Sequence, residues 1–282
     1  MTAVNKIVPI FSGGGTRLLA HIGILKALSD LDVEFSSLVG ISGGSIVAAL
    51  HSYGMSNQDL YRLAVSTDFR QFRDFSILRL LRYGGLSSGV KFERWMDKQL
   101  DGMTFADAPI PLNILATDVN GGGPVIFNKE HTPDMRVSHA VRCSMSIPLL
   151  FSFKVYEKHL LVDGAILAED ALFQDWQRDG TPNVCFRLRS EAREQPFNPK
   201  RFILPQYIGM LIRTFMTALS REYVHAEHWH NTLVINTGSA SSVDFDMDET
   251  DKEALFQQGY QTAINFLPAK LQRLERPVMT TV

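Results

Sequence analysis

Cysteine is nearly absent: 282 residues contain two, Cys143 and Cys185, with no C-x-x-C pair and no ligand cluster around them. That excludes a disulfide scaffold. Both are expected as buried small apolar side chains in a reducing compartment. An excess of one charge is missing too. With 28 basic and 30 acidic residues the net charge is −2, so the chain as a whole attracts neither nucleic acid nor anionic lipid. Long hydrophobic runs are also lacking. The run from Ile7 to Phe11 contains Pro9 and stops at Ser12 and three glycines, too short for a secretory signal. The stretch from Phe202 to Leu219 is broken by Pro205, Gln206 and Arg213, which argues against a membrane span. A cytoplasmic protein is the expectation. No repeat and no Pro- or Ser-rich linker divides the chain, and the polar stretch from Arg189 to Arg201 reads as a surface loop.

What is present is an ordinary globular composition, 45% hydrophobic and 21% charged. Short β-branched runs alternate with amphipathic ones. Strands are expected over 7–11, 37–41, 112–119, 125–127, 153–156, 159–162, 184–188 and 233–235. Helices are expected over 21–28, 45–50, 92–100, 208–227 and 252–266. Such alternation predicts an α/β fold with a mostly parallel sheet.

Three places carry chemistry. Gly40-Ile41-Ser42-Gly43-Gly44 fits G-x-S-x-G, with a β-run entering and a helix-like run leaving. That is the strand–turn–helix setting of a nucleophile elbow, in which a sharp turn projects Ser42 from the sheet and a helix N-terminus favours developing negative charge. The string by itself also suits a purely structural turn. Gly13, Gly14, Gly15 and Thr16 follow the first strand and precede a helix, so several backbone N–H groups can point into one concavity. No Gly-Lys-Ser/Thr follows, and Leu18 stands where a dinucleotide fingerprint needs glycine; an oxyanion site fits better than a nucleotide site.

A base is needed next. Among eight histidines, none stands in the strand-end context of a catalytic triad. His21 is expected to pack, His139 to begin an amphipathic helix, and His225, His228 and His230 to form a solvated or interhelical face rather than a metal site. Asp163-Gly164-Ala165 offers another route. Asp163 ends the apolar run Leu160-Leu161-Val162, where a carboxylate is costly without a partner or a role, though Asp-Gly is also a common turn. A carboxylate hydrogen-bonded to the serine hydroxyl can act as general base.

In this order the three blocks resemble the patatin-like phospholipase family. Its glycine-rich block is similar to Gly13 to Arg17 continued by His21 to Leu25, its elbow to Gly40 to Gly44, and its D-G-G/A block to Asp163 to Ala165. Leu115 to Asp118, Ala140 to Arg142, Ser144 to Pro148 and the closing segment Asp246 to Leu267 are similar as well. Leu18 departs from the family's glycine, and Glu169 and Ala171 depart from its asparagine and proline.

The resemblance implies a three-layer α/β/α fold with a mostly parallel central sheet, forming one domain over 1–282 with a catalytic core over about 5–240 and a closing helical segment over about 250–270. It implies Ser42 as nucleophile, Asp163 as base, the loop amides as oxyanion hole, membrane phospholipid as substrate and no cofactor or metal. Nucleic acid is not expected as a partner. Some bacterial members act in antiphage defence under cyclic-nucleotide control, so such an activator is a second expectation. A non-catalytic lipid-binding or scaffold role is a third.

A lipid enzyme must meet a surface. Phe72 to Leu86 interleaves apolar residues with Arg73, Arg79 and Arg82. It reads either as contact with the inner membrane face, through Phe75, Leu78, Arg79 and Arg82, or as an amphipathic helix packed on the core with its arginines in solvent.

Overall fold

The computed structural model describes residues 6–191, 204–221 and 226–274. The first strand, β1 (Lys6–Ser12), leads through a glycine loop into α1 (Leu18–Asp30). Then come β2 (Glu34–Phe35), β3 (Leu38–Ile41), α2 (Gly43–Ser52), α3 (Asn57–Ser66), α4 (Ile77–Tyr83), β4 (Gly85–Ser87) and α5 (Val90–Gln99). The middle of the chain gives β5 (Leu112–Asp118), β6 (Gly123–Phe127), α6 (Val137–Ser144), β7 (Leu149–Phe151), β8 (Lys154–Tyr156) and β9 (His159–Val162). A 3₁₀-helical segment, Gly164–Phe173, precedes β10 (Asn183–Arg189), α7 (Leu204–Arg221), β11 (Thr232–Asn236) and α8 (Glu249–Leu274).

The main sheet has nine strands in the order β11-β10-β1-β3-β5-β9-β8, with β2 beside β1 and β6 beside β5; β4 and β7 pair separately. The strands from β11 to β5 run parallel, and β6, β8 and β9 are antiparallel additions. Alternation along β1 sorts the core. Ile7 and Phe11 join the large cluster under α1, α2 and α6, whereas Val8 and Ile10 join a smaller one covered by the 164–173 segment. This is the expected three-layer α/β/α arrangement, one layer being thin. Helix α8 lies against α1 closely enough that β-carbons on Gly23 and Gly259 would stand 2.1 and 2.0 Å from the facing carbonyl oxygens of Phe256 and Ala20.

Most expected elements are found, and two are refined. The helix expected over 208–227 is α7, described over Leu204–Arg221; residues 222–225 lie outside the described residues, and Glu227 falls in a 3₁₀ segment, Ala226–Asn231, rich in His and Trp, which are weaker helix formers. Within 72–86, α4 packs on the core through Leu80 only: it buries no residue fully, Leu78 and Leu81 are 76% and 78% exposed, and Arg79 is half-buried rather than in solvent. Most of the polar stretch 189–201 lies outside the described residues, as does His225. Both cysteines are buried and free, and burial pushes each thiol up to about 12. No helix among the described residues is long and apolar enough to cross a membrane.

Candidate active site

Parallel pairing places the carboxyl ends of β1 and β3 side by side, Ser12 opposite Ile41. The chain leaves β3 through Ser42 at φ 54° and ψ −131°, a strained conformation for a residue with a side chain, and enters α2 at Gly43. The glycine after the nucleophile has a steric reason. A β-carbon on Gly43 would stand 2.3 Å from Gly15 N, so the elbow and the glycine loop touch through backbone alone. Gly40 and Gly44 flank the same turn, and Gly44 N–H donates to Gly13 O at 2.9 Å.

Asp163 arrives from the other side. Strand β9 pairs with only the end of β5, through Val162 and Thr117, and then runs down beside Leu115, itself level with Ile41. Gly164 lets it do so, since a β-carbon there would lie 2.2 Å from Leu115 O. The outcome is a hydrogen bond of 2.7 Å from Ser42 Oγ to Asp163 Oδ2. The other carboxylate oxygen accepts the Ala165 N–H at 2.8 Å, and Asp163 N–H donates to Ser146 O at 3.0 Å. Both Ser42 and Asp163 are fully buried, and desolvation raises the Asp163 carboxyl to about 7, against the opposing pull of its two hydrogen bonds. A carboxylate so placed can take a proton from the serine near neutral pH.

The glycine loop divides its amides. Gly13 and Thr16, expected among the free donors, are not free. Gly13 N–H continues the sheet ladder to Ile41 O at 3.1 Å, and Thr16 N–H donates to Ser242 O at 2.9 Å. The N–H groups of Gly14, Gly15 and Gly43 have no acceptor among the described residues. Gly43 belongs with the donors as well as with the elbow, because the residue after a nucleophile commonly supplies an oxyanion N–H.

Two buried cations hold the frame. Arg17 donates from Nε to Gly14 O at 3.2 Å and from Nη1 to Thr237 Oγ1 at 2.7 Å; no carboxylate among the described residues is hydrogen-bonded to it, and burial lowers it to about 10. Arg142 donates to Ser146 Oγ at 2.6 Å and to the carbonyls of Ser88 and Ser152, both at 2.8 Å, over the Phe151 ring. Removing Arg142 would take a donor from two carbonyls, at about 1–3 kcal/mol for each left unpaired, whereas Gly14 O would still accept the Arg17 backbone N–H at 3.0 Å.

The residues behind the pair were not singled out by role in the sequence. Ser144 Oγ accepts Ser42 N–H at 2.8 Å, and Met145 Sδ lies 3.8 Å from Ser42 Oγ. The Ser144 to Pro148 stretch was the only signal. His21 packs against Phe11 as expected and also donates from Nε2 to Gly13 O at 3.1 Å; burial lowers it to about 4, so it is neutral and bonded away from Ser42. His230 is exposed. Leu18 opens α1 and lines a small apolar cleft of about 40 Å³ beside Gly15, with Ile46, Phe72, Met145, Phe151 and Phe245. Ala171 is a packing position under the sheet. A larger cavity of about 770 Å³, around Glu93, Asp97 and His139, includes neither Ser42 nor Asp163, and its acidic side chains are already bonded, Glu93 to His139 and Lys154 and Asp97 to Arg136 and Ser138.

The model of the patatin-like phospholipase family matches residues 10–173, from β1 through the segment that follows Asp163 and more than half of the chain. The chain belongs to this family. Its patatin-like relatives include the uncharacterized protein YqhO of Bacillus subtilis, 24% identical over 282 residues, covering 92% of this chain and 97% of that one. An uncharacterized NTE family protein of Mycobacterium tuberculosis is 26% identical over 166 residues, 57% of this chain and 43% of its own. Among solved structures, VipD from Legionella pneumophila superposes with a TM-score of 0.65 at 14% identity, over 95% of this chain and 67% of that chain. ExoU from Pseudomonas aeruginosa, solved in a heterodimeric complex with SpcU, superposes with a TM-score of 0.60 at 19% identity, over 96% of this chain and 53% of that chain. At these identities the likeness concerns the patatin-like fold. Membership of the family supports lipid ester hydrolysis; neither relatives nor structures support a cyclic-nucleotide activator.

Proposed function

We propose that this protein cleaves fatty-acyl esters of membrane glycerophospholipids, in the manner of a phospholipase A or lysophospholipase, with Ser42 as nucleophile and Asp163 as base. The observation that carries the proposal is the 2.7 Å hydrogen bond between the two side chains inside a fully buried site. Asp163 takes the proton of Ser42 Oγ as the oxygen attacks the ester carbonyl. The tetrahedral oxyanion lies against the N–H groups of Gly14, Gly15 and Gly43. Collapse breaks the ester C–O bond, Asp163 gives its proton to the leaving alcohol, and the fatty acid remains esterified to Ser42. Water, deprotonated by Asp163, then releases the acid and regenerates the serine.

A purely lipid-binding role is less well supported. A serine at φ 54° is strained, and such strain persists where surrounding structure enforces it, most often at functional sites. The same reading takes residues 1–282 as one domain, since Thr237 and Ser242 near the C-terminal end fasten the loop that faces Ser42.

The test is product analysis. Protein incubated with mixed phospholipid vesicles should release free fatty acid together with a lysophospholipid or a fully deacylated headgroup, and a fluorophosphonate probe should label Ser42. Release of phosphate or headgroup without fatty acid would overturn the reading. A second result follows from Asp163. Its carboxyl must be ionised to act, so kcat/KM on a soluble ester is expected to climb with pH through an inflection near 7 and then level off. A profile flat from about pH 5.5 to 8 would remove Asp163 from the role of base.

A further inference from the structure

More than half of the large apolar side chains that stand exposed among the described residues lie on α4, on α7 or at Phe75 beside them. Helix α4 turns Leu78 and Leu81 outward, while Leu80 packs against the core. Helix α7 buries Ile208, Ile212 and Met216 but leaves Tyr207, Leu211 and Phe215 uncovered. Neither helix contains an aspartate or glutamate, while they carry Arg79, Arg82, Arg213 and Arg221 in a chain whose net charge is −2. The two helices border one groove of about 470 Å³, lined by Phe75, Ile77, Met210, Arg213, Val243 and Phe245 among others.

Two features of the groove point to a lipid rather than to a packing partner. The Nε atoms of Arg73, Arg79 and Arg213 are buried with no acceptor among the described residues; Arg213, in the groove lining, has no ion pair among them, whereas Arg73 is paired with Asp246, and Arg79, beside the groove, acts on Asp74 by charge. Unfilled guanidinium donors beside outward apolar side chains match a phosphate at the boundary of hydrocarbon. The groove also lies next to the site's apolar cleft. Phe245 lines both it and the apolar cleft that contains Gly15 and Met145, and Met145 touches Ser42.

We infer that α4 and α7 form the face on which this protein docks to an anionic phospholipid bilayer. Arg79 and Arg213 take headgroup phosphate, and the groove passes an acyl chain by Phe245 towards Ser42. The docking stands on the surface alone; the passage rests on the hydrolase reading above.

Ser42→Ala protein, which leaves vesicles intact, is sedimented with phosphatidylcholine vesicles with and without phosphatidylglycerol. Binding is expected to be stronger with phosphatidylglycerol and to weaken with salt. In that background R79E/R213E should lower partitioning onto the anionic vesicles by about tenfold or more, since each basic side chain near such a surface contributes about 1 kcal/mol. L78D/L81D should lower partitioning onto both vesicle types. With Ser42 intact, both double variants should turn over a soluble short-chain ester within about twofold of wild type. Vesicle binding indifferent to all four changes, as expected if a protein partner covers this face, overturns the inference, as does a parallel loss of soluble-ester turnover. If binding follows the groove charges while neither lipid nor soluble ester is cleaved, the docking holds and the hydrolase reading fails. If esters are cleaved but binding ignores α4 and α7, the docking alone fails.

Discussion

Ser42→Ala is expected to lower kcat/KM for a soluble ester by ~10⁴-fold or more, and Asp163→Asn by a comparable factor, with the double variant scarcely worse than either, because parts of one catalytic unit are not additive. Asparagine keeps the size and one hydrogen bond at position 163 but cannot accept the serine proton. The two variants should part company in stability. The folded protein holds the Asp163 proton up to about pH 7, against 3.8 for an ordinary aspartate. Stability linked to this group is therefore fully present below the lower value and is lost as pH rises through the upper one. At pH 8 the wild type carries a buried charge that asparagine removes. Asp163→Asn should then unfold at a higher temperature than wild type, by an amount corresponding to a few kcal/mol (each pKa unit is about 1.4 kcal/mol), and the gain should vanish at pH 4. Thermal melts at both pH values, run beside the kinetics, check this. An asparagine variant that is active, or one destabilised at pH 8, contradicts the assignment.

Gly43→Ala is expected to lower kcat by ~10²–10³-fold while leaving the protein folded, a loss of the size seen when an oxyanion donor is removed. The added methyl would stand 2.3 Å from Gly15 N and 2.7 Å from Gly15 O, both backbone atoms, so the glycine loop must retreat from the elbow. The carboxylate–serine pair lies on the opposite side of Ser42 and should be preserved. Fluorophosphonate labelling needs the same donors and should slow in step with kcat. Gly123→Ala, where a β-carbon meets nothing within 4 Å, serves as the control. If Gly43→Ala stays within about tenfold of wild type, the contact between loop and elbow does not set the oxyanion geometry.

The catalytic pair was legible in the sequence because each member sits where a local pattern changes. A β-run breaks into glycines at Ser42, and another ends in a carboxylate at Asp163. The strands that place them were readable for the same reason, being short, apolar and bounded by turns. What escaped was non-local. Nothing around Gly13 announces that its amide extends the ladder to Ile41, and nothing around Thr16 announces Ser242, 226 positions away. Ser144 is a serine in a helix end until the fold sets it under Ser42 N–H. Helix α4 was ambiguous for another reason. Its apolar and basic residues suit a packed helix and a surface-facing one equally, and only the tertiary structure separates Leu78 and Leu81, which point outward, from Leu80, which packs inward.

Arg17 has one further consequence. Its guanidinium joins Gly14, at the head of the chain, to Thr237, on the far side of the region in which the family match ends at residue 173. The stretch matched by the family model and the stretch that frames the glycine loop are therefore of different length. A gene segment copied or fused elsewhere with only residues 10–173 would carry serine, aspartate and glycines alike, yet would inherit a charged side chain stripped of its anchor. The C-terminal strand and loop, so distant from the nucleophile in sequence, thus complete the frame on which its glycine loop rests.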